Sequence, residues 1–576
     1  MATVKEECTC LAPYVVSFYD VSGIQSFVYD STKLKEIVGA SFMVQDALTK
    51  WLTEAIESVV PDPVSRVTDW QAAGGLSIGR LPSVCVEVVY CGGGNAMVLC
   101  AGEQDGRTAK ALAVEITRYI SERALELTLG KLRIAVAYRN TDLSDFQADR
   151  DFLQRDVARV KSSKSGALPL LGVGITAEGA TDGLPAVAMH DGLGLSKPAV
   201  EKRKLFDDPA DRFSDLLPHE KDSKTVYGMQ LNIDKLWQTR GENHVAVVHI
   251  DGNSTGDLIR RIVDGKDYGA AVPAMRSLST QICNVYSRAF RGALTKLAQR
   301  ILPDKDLRDR FAITETMAMG EKILVTLPVR MVVFAGDDVT FICNGKLALV
   351  LTQFFLESLD LESFSVNVGG DQKQIRLSAC AGVAIVKSHY PYRRAYELTE
   401  QLCASAKHKA KALARGGDPG SWIDFHIVYS GLAMDLEDLR RSFYDVPYLT
   451  KAGSIDGPAG MAPFGQHNLL WRPLKVASQG ETPYTWKEID RIIAEFSSWP
   501  RSRLKELRSA MVEGHEAARL VIKEASSRGL ELPSMPNLAA PAEDNALFTV
   551  DNQSPYFDTL ELLDFYAGRT EWKGEV

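Results

Sequence analysis

Residues 334–342 read Phe-Ala-Gly-Asp-Asp-Val-Thr-Phe-Ile, two adjacent carboxylates on a glycine-containing turn between apolar, β-type runs. In a flat strand neighbouring side chains face opposite ways, so Asp337 and Asp338 can serve one site only at the end of a hairpin. The pattern predicts a strand over 330–334, a turn over 335–338 and a strand over 339–343. Upstream, the apolar run 245–250 ends in Asp251 and Gly252. Carboxylates from two neighbouring strand ends suit a hard cation such as Mg²⁺, which takes oxygen ligands and is shared between one or two carboxylates and substrate phosphates. Asp251, with the Gly252 carbonyl beside it, is the expected first metal ligand and Asp337 the second. Asp338 is expected as a further ligand or an outer group. A surface hairpin with solvated acids is the competing reading, against which stand the strong apolar runs on both sides and the matching Asp251. The layout implies a palm-type core that joins nucleotides.

The same order of elements occurs twice. The first stretch opens with a β-type run over 14–19 that ends at Asp20, followed by a helical pattern through Leu34, Ile37, Phe42, Leu48, Leu52 and Ile56. Strand 84–90, the turn Gly92-Gly93-Gly94-Asn95, strand 96–100, a helix with Leu112, Ile116 and Ile120, and strand 132–138 complete it. The second stretch has strand 245–250, a helix from about Pro273 to Leu302, the acidic hairpin, a helix over 347–359 and strand 375–386. A last helix starts at Pro391, a favoured first helical residue, and runs to about Ala414, where Gly416 and Gly417 stop it. Each stretch reads β-α-β-β-α-β, the ferredoxin-like order. The expected fold class is therefore α+β. Two ferredoxin-like palm domains are expected at 1–141 and 236–430, an inserted domain at 142–235, and a mostly helical C-terminal domain at 431–576 with helices over 484–498 and 500–527.

Composition narrows the class. At 576 residues the chain is long enough for three or four domains, and 45% hydrophobic with 24% charged residues is a globular balance. No apolar run reaches the ~18 residues of a membrane span. The first seven residues hold two acids and no apolar stretch, unlike a secretory signal, so a cytoplasmic protein is expected. The formal charge of −8 argues against a protein that coats long nucleic acid, which is basic overall or on one face. Cys85, Cys100, Cys283, Cys343 and Cys380 read as buried thiols in a reducing compartment. Cys8-Thr9-Cys10 has no second pair to complete a zinc site.

Several short motifs occur in order along the chain: Asp20-Val-Ser-Gly-Ile-Gln-Ser-Phe27, Lys33-Leu-Lys-Glu-Ile-Val-Gly-Ala-Ser41, Gly92-Gly-Gly-Asn95, Asp251-Gly-Asn253, Ala335-Gly-Asp-Asp338, and Tyr390-Pro391 followed by Ala406-Lys407. Taken together they resemble the large polymerase-cyclase subunit of type III CRISPR effector complexes. The resemblance covers both palms and extends to the helical C-terminus. It implies Mg²⁺- or Mn²⁺-dependent synthesis of cyclic oligoadenylate from ATP, a second messenger of antiviral defence, with guide or target RNA and other effector subunits as partners. A homo-oligomer is a further option. The family's HD nuclease domain and the zinc cysteines between the palms are not expected here, and His190-Asp191 reads as an isolated loop pair. Ala335 replaces the first glycine of a GGDD turn, which a turn tolerates if φ stays negative there. A short or free-standing relative is the expectation. Two alternatives stay open: a cyclic dinucleotide or mononucleotide cyclase, and a non-catalytic scaffold of a guide-RNA effector complex.

Nucleotide contacts are expected from Gly252, Asn253, Ser254, Thr255 and Gly256, which open a helix whose N–H groups favour a triphosphate. The plainer alternative is an ordinary Ser or Thr N-cap. Gly336 joins them from the turn. Lys407 and Lys411 are four apart and share a helix face, as candidates to hold the triphosphate; a solvated basic stripe near a helix C-terminus is the alternative. Asp20 has no carboxylate partner in the Gly92–Asn95 turn, so the first palm is expected to bind nucleotide through Asp20 and Gly93 without the metal set. Lys161 and Lys164, and Lys202-Arg203-Lys204, are candidate RNA contacts or solvated faces.

Overall fold

The computed structural model describes residues 14–566 apart from 103–106, 164–173, 191, 207–211, 220–223, 233–234, 237–242, 318–321, 369–370, 416, 430–434, 450–463, 477–484, 535–546 and 549–552. It is a mixed α/β structure. The first unit comprises β1 (Tyr14–Ser22), α1 (Ile24–Val28), α2 (Leu34–Leu48), α3 (Lys50–Val59), β2 (Val86–Gly92), β3 (Asn95–Ala101), α4 (Ala109–Thr128) and β4 (Arg133–Thr141). Its sheet runs β2-β3-β1-β4 with antiparallel neighbours, and the short strand Arg66–Val67 lies parallel to β2 at the edge. After it come α5 (Phe146–Ser162) and α6 (Lys197–Phe206).

The second unit comprises β5 (His244–Gly252), α7 (Thr255–Val263), α8 (Tyr268–Ile301), β6 (Val329–Ala335), β7 (Asp338–Asn344), α9 (Ala348–Leu361), β8 (Ala379–Lys387), α10 (Tyr392–Ala414) and β9 (Trp422–Ile427). Its sheet runs β6-β7-β5-β8, again antiparallel, and continues into β9, which is parallel to β8, and then Leu474–Lys475. Both cores thus repeat β-α-β-β-α-β with the same strand order.

The likeness of the two units reaches single residues. Asp20 lies opposite Asn95 as Asp251 lies opposite Asp338. β2 and β6 each slip register at the same distance from the turn, between Val88 and Tyr90 and between Met331 and Val333. The residue before the next helix is left-handed in both, Gly23 at φ 76° and Ser254 at φ 59°. α5 packs on β4 and β1 just as α10 packs on β8 and β5. That part of the 142–235 stretch lies on the first sheet, and α6 crosses α2 so closely that a Cβ on Gly39 would meet the Lys202 carbonyl.

Several expected elements differ in extent. The 34–56 helix breaks at Thr49, whose φ of −107° and ψ of −80° leave the helical region. Strand 375–386 is two strands: Asp371–Arg376 pairs with Ser363–Val368 in a separate hairpin, and β8 starts at Ala379. The break falls at Ser378, whose carbonyl accepts from the Asn253 N–H at 2.8 Å. α8 starts before Pro273, at Tyr268, because the Asp267 side chain caps it by accepting from Ala270 N; Pro273 sits in its second turn. Pro391 holds the cap position in an extended conformation, so α10 begins at Tyr392. The 500–527 helix is divided at Gly514, φ 133°: Arg501–Glu513 and His515–Ser526 are separate helices. Cys8, Cys10, Lys164, Asp191 and Gly416 lie outside the described residues. Cys85, Cys100, Cys343 and Cys380 are buried and Cys283 is half-buried. Among the described residues no helix is long and apolar enough to cross a membrane.

The two units interlock. α2 of the first packs on β6 of the second, and α8 of the second packs on β2 of the first. Arg276 of α8 enters the register slip of β2. Its Nε donates to Val89 O at 2.9 Å, Nη1 to Gly75 O and Ala73 O at 2.9 and 3.3 Å, and Nη2 to Val88 O and Glu87 Oε1 at 2.7 and 3.0 Å. All five guanidinium N–H groups are used, and Glu87 is completed by Ser77 N and Ile78 N, each at 2.8 Å. Removing one member of a buried ion pair leaves an uncompensated charge and costs about 3–5 kcal/mol. Arg276→Ala is therefore expected to lower unfolding free energy by about that amount. A loss under ~1 kcal/mol in denaturant titration, the range of an exposed pair, would contradict this role.

Candidate active site

The acidic turn follows from local backbone chemistry. Gly336, φ 72°, is the first of two loop residues between paired Ala335 and Asp338. A two-residue hairpin loop that needs positive φ at its first position takes glycine there. Ala335 remains in the strand and is not left-handed, so its methyl is unstrained.

Antiparallel pairing then sets which acids meet. Directly opposed residues share a sheet face, which groups Asp251 with Asp338 and His249 with Thr340. α10 covers this patch: Tyr396 meets the His249 ring edge-on at 5.5 Å, and Lys407 Nζ donates to Asp251 Oδ2 at 2.6 Å and to Gly252 O at 3.0 Å. Asp337 leaves that face and lies over Gly252. A Cβ at Gly252 would stand 2.8 Å from Asp337 Cβ and Oδ2 and 2.9 Å from Thr255 Oγ1, so glycine permits the approach.

The charges are poorly compensated. Burial, and then the neighbouring Asp251 and Asp337, push the Asp338 carboxyl up to about 7. Its side chain keeps 46% of its surface, yet Oδ1 is enclosed without a hydrogen-bond partner. His249 Nδ1, 3.5 Å from that oxygen, brings no charge, because burial lowers its pKa to about 4. Burial also raises Asp337, opposed by a hydrogen bond with Thr255 and reinforced by Asp251. Burial alone would depress Lys407; the hydrogen bond to Asp251 and the attraction of its charge together outweigh that and leave the lysine pKa above its ordinary value.

This donor set fits a divalent cation. Among the described residues no three acid, imidazole or thiol groups close a metal shell by themselves. Mg²⁺ does not require one, since it is commonly held by one or two carboxylates together with substrate phosphates. Asp251, Asp337 and the Gly252 carbonyl could supply such oxygens, and the enclosed Asp338 Oδ1 has no hydrogen-bond partner.

The other expected residues take varied positions. Asn253 Nδ2 donates to Gly420 O at 2.9 Å and Ser378 Oγ at 3.1 Å, tying strand ends together. Ser254 precedes α7 but makes no side-chain cap; Gly256 is exposed with open space around it. Lys411 is exposed, whereas Lys409 turns away to Trp471 O. Gly93, φ 60°, is in the first hairpin's turn. Asp20 pairs with Lys161 of α5 at 2.7 Å, the counterpart of Asp251 with Lys407. Of the other basic cluster, Lys202 Nζ donates to Phe27 O at 2.9 Å and Arg203 pairs with Glu36 at 2.7 Å, so these charges serve internal contacts.

Residues outside the sequence expectations complete the surroundings. Tyr29 of the first unit stacks on Tyr396 of α10, centroids 4.3 Å apart, and Gln25 of α1 donates to Glu400. A cavity of about 340 Å³ between the units is lined by Gln25, Tyr29 and Lys161 from the first side and Arg393, Tyr396 and Glu400 from α10. The spacing of Tyr396, Glu400 and Lys407, one helix face, was the available signal.

No family model matches this chain, and no curated protein matches it. Solved structures similar to it include Csm1-Csm4 assemblies. One, a cassette in complex with pppApApA, is 13% identical with a TM-score of 0.44, over 91% of this chain and 68% of that one. Another, the Csm1-Csm4 subcomplex of the type III-A CRISPR-Csm interference complex, is 13% identical with a TM-score of 0.41, over 72% and 54%. A cassette in complex with cA4 is 13% identical with a TM-score of 0.40, over 74% and 55%. This chain spans about half the length of the last two.

A raised carboxyl pKa means that the folded state holds its proton more tightly than the unfolded one. Stability from Asp338 is then full below about pH 4 and is lost as pH rises toward about 7. In EDTA, Asp338→Asn is expected to flatten the fall of melting temperature over that window and to raise it at pH 8. An unchanged profile would remove Asp338 from the strained cluster.

Proposed function

We propose that this chain is a metal-dependent nucleotidyltransferase that condenses ATP into cyclic oligoadenylate, with residues 1–141 and 236–430 as two palm domains. The observation that carries the reading is the convergence of Asp251, Asp337 and Asp338 at one sheet end, beside a cavity lined from both units. The motif resemblance supports adenine nucleotides as substrate and a CRISPR effector complex as setting.

Asp251, Asp337 and the Gly252 carbonyl would hold Mg²⁺ or Mn²⁺, with Asp338 behind them. When bound, such an ion makes a 3′-hydroxyl more acidic and neutralises a leaving pyrophosphate. Lys407 stays charged, holds Asp251 in place and stands ready to meet a triphosphate. Gly252 keeps Asp337 close to the strand end. The first unit, with Asn95 where the second has Asp338, would present the second nucleotide, and holding two substrates in near-attack geometry accounts for much of a rate gain.

Purified protein incubated with ATP and Mn²⁺ or Mg²⁺ is expected to yield cyclic oligoadenylate by mass spectrometry. Asp337→Asn with Asp338→Asn should abolish it without lowering the melting temperature; full activity of that double variant would reject the site. Asp20→Ala is expected to slow synthesis while Mn²⁺ binding, followed by electron paramagnetic resonance, is unchanged. Loss of Mn²⁺ binding in Asp20→Ala would instead put Asp20 in the metal site.

A further inference from the structure

A second, larger cavity of about 740 Å³ lies on the far side of α10. Its walls come from Tyr390 just before α10 and Arg394 in its first turn, the end of β9 (His426) and the helices Leu436–Tyr444 and Arg501–Glu513 (Phe443, Arg508). Glu397 of α10 lines both cavities, so the helix carrying Tyr396 and Lys407 to the acids is the partition between them. The position has a topological reason. β8, α10 and β9 form a parallel strand-helix-strand crossover, and ligands collect outside the carboxyl ends of such strands. The acids stand at the opposite end, where Asp251 faces Cys380 near the start of β8. The volume is that of a site for a small organic ligand.

The lining states what that ligand must offer. Tyr429, Phe443 and Val512 keep 57%, 46% and 50% of their surface and turn apolar area to the cavity. His426 is 5% exposed. The Tyr444 hydroxyl donates to Glu561 Oε1 at 2.7 Å and stands 3.5 Å from His426 Nδ1. That oxygen has given its proton to Glu561, so Nδ1 donates and Nε2 is left as an acceptor with no partner among the described residues. Burial, with Arg472 and Arg440 nearby, holds the ring neutral, its pKa lowered to about 3. Arg508 has no ion pair among the described residues. Of the wall acids, Glu397 pairs with Arg393 and Arg394, Asp438 with Arg441 and Glu561 with Arg472, and the exposed Asp435 accepts from Gln401 Nε2 at 3.5 Å. Glu513 stands exposed at the rim.

We propose that this cavity is a binding site, separate from the acidic one, for a planar aromatic molecule with one negative charge and one N–H donor. The ring lies against Tyr429, Phe443 and Val512, the charge meets Arg508, and the donor meets His426 Nε2. The site stands or falls independently of any activity at Asp251.

8-Anilinonaphthalene-1-sulfonate has that chemistry and fluoresces when bound. Titrated into the full chain, it is expected to fill one site. Arg508→Glu, which inverts the charge, and Val512→Trp, which fills the mouth, should each raise its Kd at least tenfold with unchanged circular dichroism. Leu520→Asp, at an apolar residue 67% exposed on another helix, should leave the Kd within twofold. Binding that survives both cavity variants, or that Leu520→Asp weakens as much, would overturn the proposal as adsorption to apolar surface.

Discussion

The register between β5 and β7 is the constraint on which the acidic end of the molecule depends. A slip of one residue moves every side chain of a strand to the other face. Two features hold the register: Gly336 closes a two-residue loop that fixes the pairing of β6 with β7, and the Gly252 N–H donates to the Asp337 carbonyl at 3.2 Å, tying the end of β5 to that loop. With the register set, Asp251 and Asp338 become neighbours across strands, and Asp337 is carried past the sheet end onto Gly252. The crowding of three carboxylates around one lysine is a consequence of this pairing.

The second unit is held against the first by a device of the same kind. At a register slip in β2 the Val88 and Val89 carbonyls accept from Arg276 Nη2 and Nε, and its remaining N–H groups go to Ala73 O, Gly75 O and Glu87. α2 packs on β6, the strand that carries the matching slip. This reciprocal packing brings Tyr29 to Tyr396 and Gln25 to Glu400, so the acidic site of one unit is walled by the other. Asp20 with Lys161 repeats Asp251 with Lys407, while Asn95 and Gly94 stand where the second unit has Asp338 and Asp337. At Gly94 a Cβ would lie 2.8 Å from Ile24 Cδ1 at φ 77°, which disfavours a side chain in that turn.

α10 joins these regions. It covers the acids with Tyr396, Glu400 and Lys407, contacts the first unit, and backs onto the larger cavity with Arg394 and Leu398.

Local chemistry in the sequence determined the two strand-helix-strand orders, the hairpin between apolar runs and the position of each acid at a strand end. Period-2 and period-3.6 patterns and turn glycines act over a few residues and are read directly. It did not determine breaks such as Thr49 and Ser378, where a long apolar pattern continues but the chain must turn, nor the role of α5, whose polar sequence packs as the counterpart of α10. Lys161 and Lys202 read as basic clusters because their partners, Asp20 and the Phe27 carbonyl, are 141 and 175 positions away. Tertiary structure alone decided those pairings, the place of Arg276 and the two cavities about α10, because long-range contacts depend on how the sheets and helices stack and leave no periodic trace in the chain.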